Sequence, residues 1–129
     1  MDNNMMKNNK NFSKVSNIIE SLTINPNPES VAVLEEIGTN SSIDEVRELT
    51  SRALVRRNEH ESLTVAIANR GKGINDMSTV VAMSTINELL SLDNKEFAMH
   101  ILENTISNEG YDEEVRENAR SVKALMALS

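Results

Sequence analysis

The sequence predicts an all-α fold: a short right-handed solenoid or bundle of about seven helices, made of a leading helix and three helix pairs. Three observations carry that expectation. Apolar residues recur at helical spacing along most of the 129-residue chain. Turn-forming Gly, Pro and Asn residues fall between the periodic segments at intervals suited to short helices. Related segments also return with a period near 34–35 residues. No alternating run long enough for a strand survives beside them.

The first helix is expected from Phe12 to about Thr23, with Phe12, Val15, Ile18, Ile19 and Leu22 on one face. Asn25-Pro26-Asn27-Pro28 ends it. Asn27 then serves as N-cap, with Pro28 at the first helical position, where its missing N–H is harmless. Val31, Leu34 and Ile37 face inward on this second helix, and Gly38 is the expected left-handed stop. Ser42 and Glu45 form a capping box for a third helix, which turns Ile43, Val46, Leu49, Ala53 and Leu54 inward and runs to about Asn58.

A fourth helix covers Glu59 to Asn69, with Leu63, Ala66 and Ile67 inward, and stops at Arg70-Gly71-Lys72-Gly73. Asn75 or Asp76 caps the fifth, whose apolar set is Met77, Val80, Val81, Ile86, Leu89 and Leu90. Asp93 with Glu96 opens the sixth through Phe97, Ile101, Leu102 and Ile106, and Gly110 closes it. Asp112 caps the seventh, with Val115, Ala119, Val122, Leu125 and Met126 inward. The expected core joins Val46, Leu49, Val80, Leu89, Ile101, Val115 and Val122.

At this size the chain is one domain. Residues 12–129 form the helical-repeat domain, and residues 1–11, polar and Asn-rich, are expected to be mobile. Hydrophobic residues make up 39% but aromatics only 2%, so the core must be aliphatic and filled by methionine. With no cysteine, disulfides and thiolate chemistry are excluded. The opening MDNNMMKNNKNF lacks the apolar run of a leader, and no stretch reaches the ~20 apolar residues of a membrane span. A cytoplasmic protein is expected. The 17 asparagines read as the mark of an AT-rich coding sequence.

Charge is uneven. Residues 1–28 carry three basic and two acidic side chains, net +1; residues 29–129 carry 10 basic and 18 acidic, net −8. An acidic body disfavours generic attraction to nucleic acid or anionic membrane.

The repeat is clearest where Asp44-Glu45-Val46-Arg47-Glu48-Leu49 aligns with Glu113-Glu114-Val115-Arg116-Glu117-Asn118, an offset of 69 residues, with Val80 near the midpoint. The last helix, with Asp112, Val115, Arg116, Ala119, Ala124 and Leu125, resembles the second helix of a HEAT repeat. Val46-Arg47 with Ala53-Leu54 is a looser copy, with Ile43 in the place of Asp112. The middle pair has Val80-Val81 and no arginine. Tetratricopeptide repeats share the period, but a chain with no Trp and one Tyr cannot fill their aromatic positions. The HEAT-like resemblance implies scaffolding or partner binding, usually along the second helices of the pairs.

No catalytic set is expected. His60 and His100 are 40 residues apart without supporting ligands, and are read as surface or helix-end histidines, so no metal or cofactor is expected. Arg70-Gly71-Lys72-Gly73 lacks the flanks of a phosphate loop and is read as a turn. No serine sits in a nucleophile elbow. Glu35-Glu36 and Glu113-Glu114 are adjacent on helices and point to different sides.

Seven of the ten basic residues of the body lie on second helices: Arg47, Arg52, Arg56, Arg57, Arg116, Arg120 and Lys123. They are read as serving the helix dipole and the i,i+4 pairs Glu48–Arg52 and Asp112–Arg116. The outward residues of these helices, Arg47, Glu48, Arg52, Asn87, Arg116, Glu117 and Arg120, form the candidate partner surface, since arginine is enriched at binding hot spots. The expected function is a non-catalytic protein-interaction module, an adaptor or regulator, with a protein partner, no membrane and no small-molecule substrate. The alternatives are a small acidic decoy of a nucleic-acid-binding enzyme, and a nucleic-acid binder using the arginines as a ridge.

Overall fold

The structure, a computed structural model, describes residues 2–68 and 78–128, with side chains from residue 11. Within them lie seven helices and no strand: α1 (Asp2–Ile24), α2 (Glu29–Asn40), α3 (Asp44–Arg57), α4 (His60–Ala68), α5 (Thr79–Leu90), α6 (Glu96–Ser107) and α7 (Glu113–Leu128). The all-α class is therefore as the apolar spacing predicts. The expected turn at Arg70–Gly73 and cap at Asn75 or Asp76 lie outside the described residues. The described cap of α5 is Ser78, whose side chain accepts from the Val81 N–H.

Helix α1 starts at Asp2, well before the expected Phe12, because no Gly or Pro interrupts the Asn-rich stretch. Several other ends differ from expectation for one recurring reason. Short polar side chains accept the backbone N–H two residues ahead: Asn25 from Asn27, Asn27 from Glu29, Ser41 from Ile43, Asn94 from Glu96 and Asn108 from Gly110. These local bonds shape the turns and satisfy orphan N–H groups at helix starts. Asn27 thus caps α2 as expected, with Pro28 already in helical geometry. Neither expected capping box forms: the cap position of α3 is Ile43, with no side-chain cap, Ser41 accepting the Ile43 N–H just before the helix, and at α6 Asn94 accepts the Glu96 N–H in place of Asp93. Part of the asparagine excess has a structural use.

Gly38 is not a left-handed stop. It lies inside α2, which runs on to Asn40, and a Cβ there would sit 2.9 Å from Cγ2 of Thr50 on α3. The glycine lets two helices approach. The left-handed cap is Asn58, at the end of α3, with φ 47°. Thr50 is buried, with its hydroxyl donated to the Val46 carbonyl, so it cannot easily yield. Gly38→Ala should therefore cost about 1 kcal/mol net, overpacking exceeding the gain in helix propensity. In a Thr50→Ser background, which removes the methyl, the same change should stabilise. Urea denaturation of the four proteins of this cycle checks the reversal of sign.

Helix α3 touches α1, α2, α4 and α5. Odd-numbered neighbours pack on one another (α1 on α3, α3 on α5, α5 on α7), as do even ones (α2 on α4, α4 on α6), while α2–α3 and α6–α7 form close pairs. The core is aliphatic. Leu34, Leu63, Leu89 and Leu102, from α2, α4, α5 and α6, are fully buried, each stabilising by roughly 1.5–3 kcal/mol. Val46, Ile101 and Val122 join them, and Leu49 and Val115 are half-buried. Val80, expected in the core, is 63% exposed, whereas Val81 is completely buried. The inward stripe of α5 is Val81, Thr85 and Leu89: Val81 and Leu89 are as expected, Val80 is turned outward, and Thr85 joins them. It matches α3, where Val46 and Thr50 are 35 residues earlier and Thr50 makes the same hydroxyl bond one turn back that Thr85 makes to Val81.

Five further residues assigned inward, Phe12, Ile18, Ile43, Phe97 and Leu125, are exposed. Each lies at the margin of its helix's apolar arc or before the helix begins. Of the methionines on helices, Met126 is buried, Met99 half-buried and Met83 exposed.

Candidate partner surface

The arginines of α3 and α7 are engaged within the protein. Arg47 and Arg116, the residues equated by the 69-residue offset, do the same work. Arg47 Nε donates to the Ser41 carbonyl at 2.8 Å, just past the end of α2, and Arg116 Nε donates to the Ile106 carbonyl at 2.9 Å, in the last turn of α6. Each satisfies a carbonyl at the terminus of the preceding helix, where intrahelical partners run out. Both side chains are half-buried, so their place on the outward surface is partial.

The remaining charges form two clusters. In the first, Glu88 of α5 lies between Arg52 (3.7 Å) and Arg56 (2.5 Å) of α3, and Glu48 reaches Arg52 at 3.7 Å, the expected i,i+4 pair. In the second, on α7, Glu113 accepts from Arg116 and Arg120, each at 3.2 Å, and Glu117 accepts from Arg120 at 2.7 Å. Arg116 thus pairs with Glu113; Asp112, its expected partner, supplies a backbone carbonyl to the Arg116 N–H instead. The hydrogen bond to Glu113, followed by the field of that carboxylate and by Glu117, raises the pKa of Arg120. Lys123 lies 3.8 Å from Glu103 of α6. Exposed pairs of this kind contribute only about 0.2–1 kcal/mol each. What they do change is the surface: the arginine ridge is largely neutralised.

Two charged residues escape sequence reasoning. Glu88 gives no local signal, because its partners lie 32 and 36 residues away. Arg57, counted with the ridge, is a buried clamp with its side chain 3% exposed; it donates to the Leu22 and Asn25 carbonyls at the end of α1 and pairs with Glu59.

Of the other candidate residues, Asn87 and Glu117 are exposed, and Glu48, Arg52 and Arg120 are half-buried. Beside Asn87 on α5 lie Val80 and Met83, 63% and 51% exposed. At i, i+3 and i+7 these three share one helical face. Helix α5 packs against both α3 and α7, the two helices that carry the arginines. A groove of about 450 Å³ runs along the junction of α1 and α3, lined among others by Ile19, Leu49, Arg52, Ala53 and Arg56.

Among the described residues, no group of three or more His, Asp or Glu could hold a metal ion, and no helix is long and apolar enough to cross a membrane. The packing of α4 on α6 does bring His60 and His100 together, with ring centres 6.4 Å apart and planes tilted by 54°. Their separation in sequence hides this contact.

No protein-family model matches the chain, nor does any curated protein or solved structure.

Proposed function

We propose that the chain is a non-catalytic protein-interaction module, an adaptor or regulator, whose protein partner docks across α3, α5 and α7. The observation that carries this reading is the exposed face Val80–Met83–Asn87 of α5, the helix that packs on both α3 and α7, whose arginines are held in charged clusters. An apolar centre with a charged, hydrogen-bonding rim is the usual anatomy of a protein interface. Methionine also lets such a centre adapt its shape. The HEAT-like organisation belongs to the same proposal. It is supported by the packing of odd on odd and even on even helices, and by the matching roles of Arg47 and Arg116.

The engagement of the arginines by their own carboxylates speaks against nucleic acid as the partner. No retardation of a DNA or RNA probe is expected at about micromolar protein in ~150 mM salt, a condition that only affinities above the usual non-specific ones satisfy. A shifted probe in a gel assay would give the arginine-ridge alternative first place.

The direct test is the double variant Val80→Asp, Met83→Asp. Both side chains are exposed, so the helical circular dichroism spectrum should be unchanged and the melting temperature should stay within about 2 °C of wild type, a shift of about 0.5 kcal/mol. Proteins cross-linked to the wild-type chain in its native host should be lost from the variant. Equal recovery by a folded variant would refute this surface. Arg116 is unsuitable for such a test, because its replacement also frees the Ile106 carbonyl.

A further inference from the structure

We propose that His60 and His100 form a two-imidazole chelate for one zinc-class divalent cation, joining α4 to α6. The two rings come from different helices, both residues are exposed, and their centres are 6.4 Å apart. Two imidazole nitrogens bound tetrahedrally to one zinc ion, each at about 2.1 Å, place the ring centres about 5 Å apart. The rings must therefore close by roughly 1 Å, which small side-chain rotations supply at solvent-facing positions.

The surroundings favour a cation. Glu96 and Glu103 lie one helical turn before and after His100, and Glu59 and Glu61 flank His60 in sequence; all four are exposed. Glu59 is paired with Arg57 and Glu103 with Lys123, yet the body as a whole is acidic. Such a field raises the local concentration of cations. Two protein ligands leave two coordination positions for water, which makes this an open, exchangeable site. Binding would link two helices that are otherwise joined by packing, so it should stabilise the folded chain by mass action.

The experiment uses the full chain without a histidine tag, with zinc chloride as the only added metal. Calorimetric titration should give one ion per chain. At about tenfold excess over the dissociation constant the melting temperature should rise by about 5 °C. In NMR spectra the imidazole signals of both histidines should move together during the titration. His60→Ala and His100→Ala, both at exposed sites and expected to fold, should each abolish the rise. A rise that persists in either variant would put the ion on the carboxylates and overturn the proposal. Imidazole signals that stay still during the titration would do the same.

Discussion

Replacing Arg57 by Met is expected to remove about 3 kcal/mol of folding stability, lowering the melting temperature by about 10 °C. The side chain is 3% exposed, and its guanidinium carries three charge-assisted bonds: Nη1 to the Leu22 and Asn25 carbonyls and Nε to Glu59. Met fills much of the same volume but donates nothing. The last turn of α1 then loses the partner of its terminal carbonyls, and the partly buried Leu22 oxygen bears the full desolvation penalty. Arg57→Lys keeps the charge without the fork and should recover only part of the loss. Arg52→Met breaks only two long contacts, to Glu48 and Glu88 at 3.7 Å, between half-buried side chains, and should cost no more than about 1 kcal/mol. Thermal unfolding followed by circular dichroism measures all three. An Arg57→Met protein that melts within 2 °C of wild type, a shift of only about 0.5 kcal/mol, would mean α1 is held without this clamp.

The second large effect concerns two adjacent residues. Val81→Asp should cost more than about 4 kcal/mol and leave little folded protein, whereas Val80→Asp should stay within about 0.5 kcal/mol of wild type. Val81 is fully buried and Val80 is 63% exposed, so the first variant places an unpaired carboxylate in the interior and the second places it in water. Urea titration of both proteins decides the phase of α5. If Val80→Asp proved the damaging change, the helix would be rotated by about 100°, one residue's turn, and the strip on which the proposed partner surface depends would be buried.

The same dipeptide shows where sequence reading fails. The existence of each helix was legible, because a stripe such as Leu63, Ala66 and Ile67 has only one periodic interpretation. Val80-Val81 has two, and the deciding residue, Thr85, is a polar side chain that joins the core by bonding the Val81 carbonyl. Caps were legible where proline fixed the phase, as at Asn27-Pro28. They were not legible at Ser41-Ser42-Ile43, where the serine bond forms one step before the helix and an isoleucine takes the cap position. Gly38 was legible as a special position but not in its cause: a glycine that admits Thr50 from another helix looks the same in sequence as one that ends a helix. The residues of the candidate surface on α3, α5 and α7 were legible as charged or polar positions. Its energetics were hidden, because the pairing of Arg56 with Glu88 and the clamp of Arg57 on α1 join residues more than 30 apart. The His60–His100 contact was hidden in the same way.

The position of α3 bears on how the chain is made. Synthesis proceeds from the N-terminus at about 5–20 residues per second, and three of the four helices that α3 touches, α1, α2 and α4, precede residue 69. By the time α4 has cleared the ribosome, α3 can already bury its apolar side chains against these neighbours, and Arg57 can already reach the end of α1. The C-terminal half is then added to a formed template. Its first helix, α5, docks on α3 through Glu88, with Arg52 and Arg56 already displayed to receive it.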